Sequence, residues 1–535
     1  MNAKQAVDWL DPEKWQKTPA REKLNLLKQI QSNIKLYMQE LVQADCEVKN
    51  ITLGNKDTLH MEAIGWQGTI VAVASNISAC IKLYEALVRG KMPEPVRIEK
   101  IANDLYDVEV FPRYIKDKLI YFDRKDSLRI KGQLRQVNPL DKKGGITAVL
   151  GAGNYSSSFE MVRALFIDNC AVVHKAHELN KKSDLIWQKV FKPLVDFKAL
   201  SFCNSDEGKE LVKDTRINKI YFTGGTSTAK AIMASTETKL VCECGGNNPC
   251  IIVPGVKPWT KSQIKHHAIS IATIGKLNGG AICGRLQTII TCKNWPQRKE
   301  FLIALKEALE IDTPGFSSYY PNSEKAFNNF KNNYPNAELI KPKDATVGSS
   351  EFLLIEDSEQ DGYAVSHEAF SQVINEVALD TQADIGEFLS RAVDFCNNRL
   401  LGTLAATIII DDKSSKRYKI ILDEAITKLA YGAIGVNVMA PMIWMDPYLT
   451  WGGNEEGKDL VSGRGNFGNI FCFENVEKSI AKGPFISLSH LKLTNKKYFF
   501  DISKQVSYFA VSDSWSRLIV MIFTLLLGKL KGKDF

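Results

Sequence analysis

The sequence predicts an α/β fold built on a doubly wound parallel sheet, and three observations carry that prediction. From residue 144, short β-branched runs alternate with helix-period segments: "GITAVLG", a helix from about 157, "CAVVHK", a helix from about 180, "INKIYFTGG", a helix from about 226, and "KLVCECGG". Such alternation marks a parallel sheet with helices on both faces. A second α/β stretch follows, with a helix near 260–276, a strand at "LQTIITC" and a helix near 297–310, and it continues through "TLAATIIIDD" and "GAIGVNV" to about 475. Finally, 535 residues exceed what one hydrophobic core usually serves, so two large domains are expected.

The flanking elements follow from local pattern. Residues 1–114 carry leucines and isoleucines three and four apart, as in "AREKLNLLKQIQSNIKLYMQELVQADCEV", and form a helical lead-in that completes part of the first domain. Residues 115–140 alternate apolar and polar around "DRKD" and are expected to form a long hairpin with polar faces. The α/β region divides into 141–245 and 246–440, followed by a return segment over 441–490. Residues 491–535 form a C-terminal extension whose apolar stretch, Leu518–Gly528, is flanked by Arg517, Lys529, Lys531 and Lys533. Eleven residues are too few to span a bilayer, which takes about 20. A helix docked on the protein and a peripheral contact with a membrane surface both remain open for this tail.

Composition sets further bounds. At 44% hydrophobic and 24% charged, the chain has the make-up of a soluble globular protein. Its net charge of +8, from 69 basic and 61 acidic residues spread along the chain, is too thin for a nucleic-acid footprint, so no nucleic acid is expected as partner. The start, "MNAKQAVDWLDPEKWQ", lacks the continuous apolar region of a secretory signal. Eleven cysteines, an odd number, then suit reduced thiols in a cytoplasmic protein rather than a disulfide framework.

Several loops at the ends of expected strands carry chemistry, because ligands of open α/β sheets collect at the strands' carboxyl ends. In "AVLGAGNYSSSFE", Gly151 and Gly153 allow a tight turn and Asn154 presents an amide before a helix that early serines could cap. In "VVHKAHE", Lys175 places a cation suited to phosphate or ribose hydroxyls. In "IYFTGGTSTAKAI", Gly224 and Gly225 precede hydroxyl residues and a helix start that favours a pyrophosphate. In "LVCECGGNNP", Glu243 ends a β-rich run, where partial burial would raise its pKa and suit it to general-base work. The "CEC" of this stretch lacks the C-x2-C spacing of a zinc site and no second pair follows, so no metal is expected. In "NGGAICGRLQTII", Cys283 lies between a Gly-Gly pair and a strand.

In their order and spacing, "GNYSSS", "VVHKAHE", "FTGGTSTAK", "ECGGNNP", "GGAIC" and "HEAFSQV" resemble the aldehyde dehydrogenase superfamily over about residues 20–480. The resemblance implies a Rossmann-type cofactor domain, an α/β catalytic domain and a β-hairpin element that assembles a homo-oligomer, a dimer or tetramer. It implies NAD or NADP as cofactor and a small-molecule aldehyde as substrate. Cys283 matches the family's nucleophile, Glu243 its general base and Asn154 its oxyanion donor, acting with the backbone N–H of Cys283. Lys175 and Glu178 match its adenosine-ribose residues, Gly224 and Thr226 its pyrophosphate loop, and Glu368 and Phe370 its nicotinamide-ribose acid and adjoining aromatic.

The chain also departs from the pattern. The usual Pro-Trp-Asn-Phe-Pro becomes Gly151-Ala152-Gly153-Asn154-Tyr155, Ala281 replaces a Gln or Glu, and "E-x-F-G-P" becomes "EAFSQ". These changes point to altered cofactor affinity and an unusual substrate. A CoA-acylating relative is an alternative, although such enzymes commonly lack the glutamate that Glu243 supplies. So is a non-catalytic relative kept for assembly or membrane association. The apolar tail would suit long-chain aldehydes, as in the tail-anchored fatty aldehyde dehydrogenases.

Overall fold

Two sheets organise the chain, in a computed structural model that describes residues 1–156, 159–346, 348–455, 459–465 and 467–530. Ser157 and Ser158 of the first glycine loop, and Lys531 and Lys533 of the basic tail, lie outside the described residues.

A ribbon of β1 (Arg97–Ala102), β2 (Leu105–Phe111) and β3 (Lys125–Lys131) comes first. The smaller sheet comprises β4 (Ile146–Leu150), β5 (Ala171–Lys175), β6 (Leu200–Cys203), β7 (Ile217–Thr223) and β8 (Lys239–Glu243), all parallel in the order β6-β5-β4-β7-β8. Its strands fall between residues 146 and 243. The larger sheet adds β9 (Asn248–Ile252), β10 (Leu286–Cys292), β11 (Glu338–Ile340), β12 (Phe352–Ile355), β13 (Val373–Leu379), β14 (Ala405–Ile409) and β15 (Ala433–Val436). After the short pair β16 (Thr450–Trp451) and β17 (Phe467–Gly468), β18 (Val476–Lys482) returns beside β15. The order β1-β2-β3-β18-β15-β14-β9-β10-β13-β12-β11 therefore joins the ribbon to the later strands in one mixed sheet. Every residue of β4, β9, β10, β14 and β15 is buried. Central parallel strands are covered on both faces and need no polar alternation, which is why they appear in the sequence as continuous apolar runs.

Helices cover these sheets. In α1 (Ala20–Val48), Leu24, Leu27, Ile30, Ile34, Met38 and Leu41 form one buried stripe. Leu59–Ile64 runs through a wider π-helical turn, Gly65–Val71, into α2 (Ala72–Val88). Leu59–Val88 is apolar and long enough to cross a membrane, but 78% of its most apolar window is buried, as in a core helix.

The hairpin expected over 115–140 is not there. The antiparallel ribbon begins earlier, at β1 and β2; Ile115–Ile120 is a helix, α3, and β3 returns along β2 into the large sheet. Ile115 and Leu119 stand one helical turn apart, and Asp117 accepts from the Tyr114 N–H at 3.1 Å, so local bonding closes a helix where alternation implied a strand. Nor is β3 polar-faced: Asp126–Ile130 are all buried, with Asp126 paired to Arg124.

The extension folds as a helical pair. α8 (Lys496–Ser512) lies over the π-turn and α2, with Gln67 Nε2 donating to Ser503 Oγ at 2.7 Å and Ser507 Oγ to Trp66 O at 2.9 Å. α9 (Trp515–Leu530) turns back on it, where Tyr498 Oη donates to Leu525 O at 2.6 Å. The outer face of α9 exposes Trp515, Ile519, Phe523, Leu526 and Leu530.

Candidate active site

Cys283 owes its position to the three residues that open its motif. Asn278, Gly279 and Gly280 take positive φ values of 54°, 65° and 85°. A Cβ on Gly279 would lie 2.3 Å from Ser317 O, and one on Gly280 2.4 Å from the carbonyl carbon of Ser371. Glycine alone meets both the backbone and the space requirement at these two positions. Asn248, opening β9, donates from Nδ2 to Cys283 O at 2.8 Å and to Arg285 O at 2.9 Å, which pins the loop on its other side. All eleven cysteines are free; ten are buried and Cys283 is partly exposed.

Asn154 meets this loop from the smaller sheet. Its Nδ2 donates to Ala281 O at 3.1 Å, an acceptor it shares with Asn278 Nδ2, also at 3.1 Å. Tyr319 Oη donates to Asn154 O at 3.0 Å. A primary amide has two N–H bonds, and among the described residues Asn154 Nδ2 makes this one bond, so its second N–H can serve a ligand.

Glu243 ends β8 at 2% exposure, and among the described residues its Oε1 is buried without a hydrogen-bond partner. Burial, and then the nearby acid Glu160, push its pKa well above the usual carboxylate range. The Cys283 thiol is likewise pushed well up, by burial first and then by Glu243 and Glu368. The resting sulfur is therefore a neutral thiol that needs a base before it can attack a carbon. Cys283, Glu243 and Asn154 line one cavity, together with Tyr155, Trp444 and Trp451. A larger cavity of about 280 Å3 beneath α8 shares Gln67, Met442 and Met445 with it.

The remaining residues singled out in the sequence fall into two groups. Lys175, at the end of β5, and Glu178 meet at Ser205: Lys175 Nζ donates to its carbonyl at 3.3 Å, and its hydroxyl donates to Glu178 Oε2 at 2.7 Å. Gly224 and Thr226 lie at the start of α6 (Thr226–Ser235), but Thr226 Oγ1 donates to Val461 O at 2.7 Å, so its hydroxyl holds a loop. A Cβ on Gly224 would meet the Phe222 ring at 2.5 Å, whereas one on Gly225, the open position, would meet nothing within 4 Å. Near the thiol, Glu368 packs against the backbone of Gly245, and burial raises its pKa to about 7. Phe370, at φ 43°, sets its ring 5.1 Å from that of Tyr320.

This donor set suits a dinucleotide. A cation and a carboxylate at the ends of β5 fit ribose hydroxyls, the side-chain-uncapped start of α6 fits a pyrophosphate, and Glu368 can accept from a second ribose near Cys283. Asn278, Asn248, Tyr319 and Glu160 were not singled out in the sequence. Asn278 and Asn248 adjoin glycine pairs in "NGG" and "GGNN", which is the signal that could have found them.

The fold defined here is that of the aldehyde dehydrogenases. Aldehyde dehydrogenase C of Pseudomonas syringae, solved as a cysteine-to-alanine variant with NAD+ and octanal, superposes at a TM-score of 0.61, 14% identical, over 90% of this chain and 89% of that one. Glyceraldehyde-3-phosphate dehydrogenase of Methanocaldococcus jannaschii, solved with NADP, superposes at 0.59, 15% identical, over 90% and 94%. In sequence, the Gibberella moniliformis protein FUS7, whose name marks it as an aldehyde dehydrogenase, is 26% identical over 309 residues, 55% of this chain and 60% of that protein. The chain thus spans about 60% of the length of the curated relatives it matches. The model of the aldehyde dehydrogenase family matches residues 152–310, the stretch holding Asn154, Glu243 and Cys283. Over that stretch the chain is similar to the aldehyde dehydrogenase family, and its fold is theirs.

Proposed function

We propose that the protein oxidises an aldehyde to a carboxylic acid with NAD or NADP. The observation that carries this reading is the convergence of Cys283, Glu243 and Asn154 on one cavity. Cys283 Sγ attacks the aldehyde carbon while its proton passes to Glu243, and the Asn154 amide and the Cys283 N–H donate to the developing oxyanion. A nicotinamide dinucleotide held by Lys175, Glu178, the start of α6 and Glu368 supplies the hydride acceptor. Glu243 releases that proton to solvent, takes another from the water that attacks the thioester, and passes it to the sulfur as the carboxylic acid leaves.

We assign the larger cavity to an apolar substituent of the aldehyde, because Phe111, Val438, Tyr448, Val506 and Phe509 line it and Met442 and Met445 join it to the thiol's cavity. The exposed apolar face of α9 begins two residues beyond Asp513, which lines that cavity, and this supports a peripheral lipid contact. The fully exposed edge strand β1 supports pairing with a second copy, and eleven unpaired thiols suit the cytoplasm.

The test is an aldehyde panel of increasing chain length, with NAD or NADP and with or without CoA. NADH or NADPH should form without CoA, increase with chain length and vanish in Cys283→Ala. Strict CoA dependence would move the reading to acyl transfer, and no turnover with any aldehyde would overturn it.

A further inference from the structure

Glu160 is a second carboxyl in the cavity that holds Cys283, and the reaction just described leaves it unused. It opens α4 (Glu160–Phe166) at 7% exposure. Its Oε1 accepts from Thr223 Oγ1 at 2.7 Å, while its Oε2 is buried without a partner among the described residues. Thr223 ends β7, and the residue paired with it across to β8 is Glu243, whose Oε1 is also buried and unpartnered. One strand pair thus brings together two enclosed carboxyls, each with one orphan oxygen. Two orphan acceptors facing one cavity become a donor and an acceptor if one of the acids keeps its proton.

We propose that Glu160 is a positioning residue for Glu243: it stays protonated, and its Oε2–H donates to the Glu243 carboxylate, directly or through one water, so that the two acids share one proton. Thr223 fixes which oxygen of Glu160 is the carbonyl, since its hydroxyl already donates to Oε1. The surrounding groups favour a single charge. From β5, His174 lowers the Glu160 pKa, but only as the smallest contribution, and lies 3.0 Å from Asp184; from α4 itself, Arg163 turns away to Asp168 and Gly468 O; Cys242 and Cys283 bring no cation. Burial raises the pKa of both acids, and Glu160 raises that of Glu243 further.

The experiment is infrared spectroscopy of the full chain without substrate at pH 8, where ordinary carboxylates are ionised. The parent-minus-Glu160→Gln difference should contain one protonated-carboxyl C=O band, which Glu243→Gln should retain. If Glu160→Gln does not fold, Thr223→Val keeps both acids and removes the hydrogen bond to Oε1, so the band should shift upward in frequency. A band that survives in Glu160→Gln, no band in the parent, or an unshifted band in Thr223→Val overturns the proposal. The kinetic arm rests on Glu243 being the base. Glu160→Gln, whose amide can still donate, should keep kcat within a few fold, while Glu160→Leu should lower kcat about tenfold with KM unchanged, as loss of one charge-assisted bond predicts. Equal losses in the two variants overturn the positioning role. A silent panel together with the expected band would instead count against the function and leave the pair intact.

Discussion

At the residue scale, the chemistry of Cys283 is inseparable from the two glycines before it. Ala at position 280 must adopt φ near 85° and push into Ser371, so Gly280→Ala is expected to destabilise the fold by about 2 kcal/mol or more and to abolish turnover. Thermal melting and product formation check the two effects separately; an unchanged melt with full turnover would show that the turn can be built otherwise. The Gly-Gly pair was legible because glycine before a lone cysteine is a conspicuous sequence event. Glu160 was not, since an acid at a helix start is ordinarily a dipole partner and only the fold turns it toward Glu243. The same holds for Tyr319, whose hydroxyl reaches Asn154 across 165 residues of chain.

At the element scale, what could be read depended on whether an element's surroundings leave a mark on its own sequence. Buried parallel strands do, and "LQTIITC" coincides with β10 from end to end. The region between β2 and β3 does not: a six-residue helix and a buried strand imitate a polar-faced hairpin because Asp126 and Arg129, charged by type, are buried with partners, Arg124 just before the strand and Asp107 on β2. The C-terminal stretch was legible as apolar, but its docking was not, since only the inward side of α9 meets α8. A chain ending at Ser514 keeps α8 and loses the exposed face. It should melt close to the full chain and no longer sediment with anionic phospholipid vesicles; equal sedimentation of both chains would argue against lipid contact.

At the scale of the whole molecule, the helical lead-in is fastened to the smaller sheet by polar contacts that titrate. Lys23 of α1 is fully buried, hydrogen-bonds to Asn169 and lies 4.2 Å from the Trp15 ring centroid, while Trp15 Nε1 donates to Leu165 O at 3.1 Å. Burial lowers the Lys23 pKa from 10.5 to about 7. The folded state therefore holds its proton less tightly than the unfolded chain, so the penalty is complete below pH 7 and fades as pH rises toward 10.5. Lys23→Met should raise the melting temperature most near pH 6, and its advantage should shrink by pH 10. An advantage independent of pH would mean that packing rather than charge is responsible. The two-sheet division was legible from pattern alone. That the ribbon and the strands after residue 246 form one continuous sheet was not, because pairing such as β18 with β3 joins residues some 350 apart and leaves no local trace.

The uneven exposure of the cysteines has a practical side. With ten sulfurs sealed in the interior and one at the rim of a cavity, a native molecule offers a thiol-modifying reagent a single address. Mass added under native conditions thus counts intact Cys283 cavities, and any further increment counts molecules that have opened.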